Sequence, residues 1–377
     1  MRRLLIAPFL AWAKSFSPWR LPYHRLLLAL VIGAAGGWLF SLYRLPLAWM
    51  LGSMVACTVA ALLRAPVAAP AAIRPPVQAV LGVMLGAGFA PGMIASVPGW
   101  LPTLIGLVGF VIVAGAVGTL YMRKVAGLDP VTAFFSGMPG GLVEMVIQGE
   151  ERGGDVRMIA LVHSARVFVV VMSLPFLLQW ITGVDIGARP NIGLSLLDTP
   201  AADILLLIGT LLAGVVAGQL LRLPARFLLG PMLASALLHV SGLTDFVIPV
   251  ELLNAAQLLL GMVVGCRFAT ASPRVVLRVL VLAVGANYIL LAITFAFAFA
   301  VSAVSTYDVT ALVMAYSPGG LAEMSLVALA LQIEVAFVAA HHLARVVMVM
   351  AFASTAFRLS GLGGPPQNGG EDPPRDR

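Results

Sequence analysis

The sequence predicts an all-α polytopic membrane protein built from two inverted repeats of about five transmembrane helices, each with a broken segment. Three observations lead there. Of 377 residues, 60% are hydrophobic and 10% charged, and the mean hydropathy is +1.02. That leaves too little polar surface to coat a soluble globule, where about 25% of residues are charged. Apolar stretches able to cross roughly 30 Å of hydrocarbon, about 20 residues each, recur along the chain. Polar residues inside those stretches recur at a fixed displacement.

In chain order the apolar stretches run over 26–43, 46–63, 76–95, 99–121 and 156–180, and 130–149 is interrupted by Pro139-Gly140-Gly141. The second half has 203–221, 224–241, 251–270, 276–303 and 335–357, with 309–330 broken by Pro318-Gly319-Gly320. Arg44-Leu45-Pro46 returns as Arg222-Leu223-Pro224 at a displacement of 178. At 179, Gln78 and Gly82 match Gln257 and Gly261, Asp129 matches Asp308, and Pro139-Gly140-Gly141-Leu142 matches Pro318-Gly319-Gly320-Leu321. Glu144, His163 and Arg166 match Glu323, His342 and Arg345 at the same displacement. The expected organisation is an N-terminal segment 1–25, a first repeat 26–180, a linker 181–202, a second repeat 203–357 and a disordered tail 358–377.

Orientation follows from the basic residues, which gather in cytoplasmic loops. If residues 1–25 are cytoplasmic and each Pro-Gly-Gly segment is re-entrant, a repeat crosses an odd number of times and the second copy is upside down. All but four of the 23 Lys and Arg then fall on the cytoplasmic side. Arg44 and Arg189 lie outside, while Arg166 and Arg345 are within apolar helices. Fully spanning segments would make the copies parallel and move Arg222, Arg226, Arg267, Arg274 and Arg278 outside, so inversion is the better account. Both termini are then cytoplasmic in a bacterial inner membrane. Met1 to Ala13 reads as an interfacial helix rather than a cleaved signal peptide, because Pro8 interrupts its apolar run.

The net charge of +7 belongs to these loops. No basic cluster interleaves with aromatics as a single-strand nucleic-acid binder needs, so no nucleic-acid partner is expected. Cys57 and Cys266, the only cysteines, exclude a disulfide scaffold or a Cys-based metal centre. No phosphate loop or nucleotide fingerprint occurs, and no cofactor is expected.

A Pro-Gly-Gly break frees backbone groups that lipid cannot satisfy, so the segment must be covered by protein or line a water-filled cavity. Glu144 and Glu323 fall in the first turn after each break, where an acid complements the positive helix end. An ionisable group at membrane depth also costs about 2.5–3.5 kcal/mol, which points to function. His163 with Arg166, and His342 with Arg345, are three apart and share a helical face. Glu144 is the nearest candidate partner for Arg166, and a Glu–Arg tie need not exclude a functional site. His341 has no match in the first half, where Val162 stands, and Asp129 and Asp308 read as helix N-caps.

Two broken segments from inverted halves, meeting near the midplane, are the arrangement of a secondary transporter. The candidate solute or ion site is Pro139, Gly140, Gly141, Glu144, His163 and Arg166 with Pro318, Gly319, Gly320, Glu323, His342 and Arg345. Proton coupling is compatible with its histidines and buried carboxyls. The charge of the solute and any homo-oligomer are left open.

The doubled Pro-Gly-Gly-Leu-x-Glu-Met and His-x-x-Arg segments resemble the membrane AbrB-duplication proteins, over about 26–356. Members of that family are labelled ammonia monooxygenase or regulator of gene expression, and they share only a name with the soluble DNA-binding AbrB regulators. The resemblance supplies no catalytic residues. A di-iron site would need more carboxylates and Glu-x-x-His pairs than occur, and each histidine has an arginine three residues away, so an enzyme is not expected. Short loops without a DNA-reading motif leave room only for an indirect effect on gene expression, through a transported metabolite.

Overall fold

The computed structural model describes residues 23–362 apart from 90, 92, 184–193 and 224. The segment read as an interfacial helix, residues 184–193 of the linker with Arg189, and residues 363–377 of the tail lie outside the described residues. The rest is helical, with no strand among the described residues. The first half holds α1 (Tyr23–Leu42), α2 (Ala48–Leu62), α3 (Arg74–Ala87), α4 (Leu101–Lys124), α5 (Pro130–Gly137), α6 (Leu142–Glu150) and α7 (Val156–Thr182). The second repeats that order: α8 (Ala201–Leu220), α9 (Arg226–Val240), α10 (Val250–Cys266), α11 (Pro273–Ser302), α12 (Val309–Tyr316), α13 (Leu321–Ala330) and α14 (Val335–Leu359).

Among the described residues seven helical segments are long and apolar enough to cross a membrane, and the chain is a multi-pass membrane protein. The 15-residue α2 and α9 rise only about 22 Å. They are buried along most of their length, while α1 and α8 turn most of their surface outward. The apolar stretch 76–95 is not one helix. α3 stops at Ala87, and a 3-10 turn over Met93–Trp100 leads into α4, because Pro91 and Pro98 supply no N–H to continue a helical ladder.

The halves interlock through glycines. A methyl group on Gly82 would strike the Leu228 carbonyl, and one on Gly86 the Met232 carbonyl. Gly261 and Gly265 stand in the same relation to Met50 and Met54. The absent side chains let backbones touch, as small residues do between membrane helices. These pairings also fix directions: α3 runs with α9, and α2 runs with α10. A cavity of about 610 Å³ collects Gly88 after α3, His239 near the end of α9 and Leu253 near the start of α10, so α10 runs against α3 and α9. Hence α2 and its counterpart α9 point in opposite directions.

Each broken segment is a hairpin. α5 begins where Asp129 accepts from the backbone N–H of Val131 and Thr132 at 3.1 and 3.0 Å, with Pro130 at its first position. It stops because Met138 precedes a proline and is extended (ψ 137°). Eight residues rise about 12 Å, less than half a bilayer core. α6 then returns: the Asp155 N–H reaches Thr132 Oγ1 at 2.8 Å, and Gly149 packs on Phe135. In the second half Asp308 caps α12 through Ala311 N–H at 3.1 Å. After the break α13 returns, so that Tyr307 before the hairpin donates to Glu334 after it at 3.4 Å.

The two hairpins open toward opposite ends of α14. Gln148 on α6 bonds to Ser354 and to the Met350 carbonyl, at 3.0 and 3.4 Å, in the C-terminal part of α14. Tyr307, at the base of the second hairpin, stacks at 4.0 Å on Phe337 near the start of α14.

Candidate functional site

At each break the freed carbonyls meet an arginine. Arg166, on α7, donates through Nη1 to the Met138 carbonyl at 2.8 Å and through Nη2 to the Gly140 carbonyl at 3.1 Å. Nη2 also lies 2.9 Å from His163 Nδ1, and His163 Nε2 lies 2.8 Å from the Phe135 carbonyl. Arg345, on α14, repeats the set. It donates to the Ser317 carbonyl, to the Gly319 carbonyl at 2.8 Å and toward His342 Nδ1 at 3.1 Å. His342 Nε2 sits 3.0 Å from the Met314 carbonyl. Every contact recurs at the 179-residue displacement.

These bonds settle the protonation of both histidines. A guanidinium only donates, so Nδ1 must be bare. A carbonyl only accepts, so Nε2 carries the hydrogen. His163 and His342 are therefore neutral with both ring nitrogens engaged. Their role in this arrangement is to orient the arginine, not to carry a proton.

The expected Glu–Arg tie does not form. Arg166 and Arg345 are 7% and 3% exposed, and among the described residues the one ion pair is Arg152 with Glu151. The physical reason is competition. The proline break leaves carbonyls within reach of a planar donor fork, and backbone oxygens take the donors first. Glu144 and Glu323 instead fold back over Gly141 and Gly320, the residues preceding α6 and α13, where a methyl group would collide with each carboxylate. That is the reach of a third-position acid to its own helix start.

The hairpin tips are not sealed. Gly140, Gly141 and Glu144 are half-buried, as are Gly320 and Glu323, while Pro139, Pro318 and Gly319 are buried. The first tip, whose Gly140 carbonyl Arg166 holds, packs Gly140 against Val349, one turn from Arg345. The clamps are thus neighbours. Arg267, at the end of α10, is not among the expected site residues and counts only as a cytoplasmic-side basic residue of the 251–270 stretch. Arg267 lies within electrostatic reach of Glu323 and Arg74 and donates to Ser164 Oγ at 3.4 Å. No repeat partner marks it, since the equivalent position is Gly88. An apolar groove of about 780 Å³, walled by Ile112, Phe134, Met138 and Phe352, reaches the first break from the side, with a lining suited to lipid chains.

The clamp geometry makes Glu144→Gln a mild change for folding, because a glutamine still fits over Gly141. Its melting temperature in detergent is expected to stay within a few degrees of wild type, corresponding to about 1 kcal/mol or less for one first-turn acid. A large drop would show that Glu144 holds the hairpin itself.

Fold and site together define a multi-pass helical membrane protein with two helical hairpins, each pinned by an Arg–His clamp. A family profile described as "Transition state regulatory protein AbrB" matches residues 49–361, and the chain belongs to that family. It is similar to protein YhjN of Bacillus subtilis (strain 168), 28% identical over 352 residues, 88% of this chain and 91% of the relative. It is also similar to a protein of Escherichia coli (strain K12) named as a regulator AbrB, 26% identical over 314 residues, 82% of this chain and 89% of the relative.

Proposed function

We propose that this protein is an inner-membrane secondary transporter of a small polar or ionic solute, with both termini cytoplasmic and a central site at the hairpin tips. The observation that carries the proposal is the pair of half-buried tips, held by matching clamps and opening toward opposite ends of α14. Such a pair offers one site to two sides in turn. The charges favour an anion. Arg166, Arg345 and Arg267 face a region where the two carboxylates already serve helix starts, and the N-termini of α6 and α13 add positive potential.

An oxidative enzyme fits less well, since His163 and His342 have no free ring nitrogen to offer a metal. An influence on gene expression, suggested by the name of the Escherichia coli relative, would follow indirectly from a change in a metabolite.

The test is a metabolite comparison of cells with and without the protein, followed by uptake of the solute so identified into membrane vesicles. Glu144→Gln with Glu323→Gln is expected to abolish that uptake while folded protein stays in the membrane. Normal uptake by the double variant would reduce both acids to helix capping.

A further inference from the structure

His341 lies on α14 outside both clamps, fully buried, and the first half has Val162 in its place. Its Nδ1 is 2.7 Å from the Phe337 carbonyl, and its Nε2 is 2.8 Å from Thr103 Oγ1 on α4. That hydroxyl is in turn 2.7 Å from the Trp100 carbonyl. A carbonyl only accepts, so Nδ1 carries a hydrogen. Thr103 has one hydrogen to give. If the ring is neutral, Nε2 is bare and takes that hydrogen, leaving the Trp100 carbonyl without it. If the ring is protonated, Nε2 donates to Oγ1, the Thr103 hydrogen stays on the Trp100 carbonyl, and all three contacts are satisfied together. One added proton completes the network.

The neighbours are few. On α14 they are His342 and Arg345, and Glu334 stands just before its first residue, two turns away. Before and on α12 stand Tyr307 and Tyr316, whose hydroxyl donates to the Thr103 carbonyl. Among the described residues no charged side chain of α3, α4, α6 or α13 bonds to His341, whose hydrogen-bond partners are Thr103 and the Phe337 carbonyl. Glu334 lies at the outer end of the cluster. Its Oε2 accepts from Tyr307, whose hydroxyl accepts from Trp100 Nε1 at 2.7 Å, and its Oε1 is buried with no partner. Burial pushes the Glu334 carboxyl up, against the Tyr307 hydrogen bond, which suits a group that holds and releases protons.

We propose that His341, with Thr103, is a proton-binding site of the carrier, fed from the Glu334 end of α14, and that its proton loosens the clamp on the second hairpin. The proton comes from water and lands on Nε2, and the Thr103 hydrogen turns from Nε2 to the Trp100 carbonyl. His341 adjoins His342 and stands four residues before Arg345 on α14, so its ring and the guanidinium lie on one helical face. A new cation there opposes Arg345 in a medium that screens little, and it weakens the hold on Ser317 and Gly319. The first hairpin has no such neighbour and stays clamped. The control of the clamp rests on reading the hairpins as moving parts of a transporter; the proton site itself does not.

The experiment needs no solute. Trp100 lies 6.4 Å from the His341 ring, and an imidazolium quenches a nearby indole. The Trp100 signal is the fluorescence difference between the purified full chain and its Trp100→Phe variant. It is expected to fall through one transition as pH is lowered. His341→Gln should remove the transition. Thr103→Val, which deletes the acceptor used by the imidazolium, should make the quench need a pH about one unit lower, while Thr103→Ser should match wild type. Persistence of the transition in His341→Gln, or an unmoved transition in Thr103→Val, overturns the proton site. Amide exchange, corrected for its intrinsic pH dependence, should quicken over 317–330 through the same transition and not over 138–150. Equal change in both hairpins, or none, overturns control of the clamp. Failure to find a transported solute would leave both readouts intact, so the two ideas fail separately.

Discussion

Replacing Arg345 with methionine is expected to lower the stability of the protein by about 3 kcal/mol and to release the second hairpin. Methionine fills much of the same volume but donates nothing. It strands the Ser317 and Gly319 carbonyls and His342 Nδ1, three acceptors that Arg345 satisfies. Each buried acceptor left alone costs roughly 1–3 kcal/mol. Relief from burying a guanidinium offsets part of that sum. Arg345→Lys keeps the charge, but its compact ammonium cannot bridge acceptors spread along the turn, so it should recover less than half of the loss. Arg166→Met should do the same to the first hairpin. Denaturant unfolding in detergent reads the effect. Wild-type stability in either methionine variant would mean that the break is satisfied by something other than the clamp.

The second large effect is steric. Gly82→Ala and Gly261→Ala each push a methyl group into a backbone carbonyl of the other half, Leu228 and Met50 respectively. Backbone at a helix contact cannot rotate away, so the halves must part, at about 1–3 kcal/mol per site. Gly209→Ala on α8 is the control. Nothing lies within 4 Å of its new methyl group, and alanine is the better helix former by about 1 kcal/mol. Destabilisation at 82 and 261 with neutrality or gain at 209 is the expected pattern. Similar behaviour of all three in thermal unfolding would argue against the interlocked glycine contact.

Much of the architecture is written in local signals. Proline and glycine fix where α5 and α12 stop, aspartates fix where they start, and hydropathy fixes the long helices. Gly82 and Gly261 already stand at matching positions because the same close contact is made twice. The residues that gather at the two breaks were legible in the sequence, but their bonds were not. Charge complementarity along the chain pairs Arg166 with Glu144, yet the real partners are backbone carbonyls, which no letter of the sequence records. Arg267 escaped because its place beside Glu323 depends on how α10 packs across the halves. Thr103 and His341 are separated by 238 residues, and no periodic pattern links a lone threonine near the start of α4 to one histidine of an adjacent pair.

The account stands on the two hairpins opening to opposite faces of the membrane, and cysteine accessibility measures that directly. In a chain with Cys57 and Cys266 changed to alanine, Glu151→Cys marks the base of the first hairpin and Thr306→Cys the base of the second; both positions are exposed. A membrane-impermeant thiol reagent applied to sealed, right-side-out vesicles should label Thr306→Cys and spare Glu151→Cys, and inside-out vesicles should reverse the result. Labelling of both positions from the same face would contradict the account.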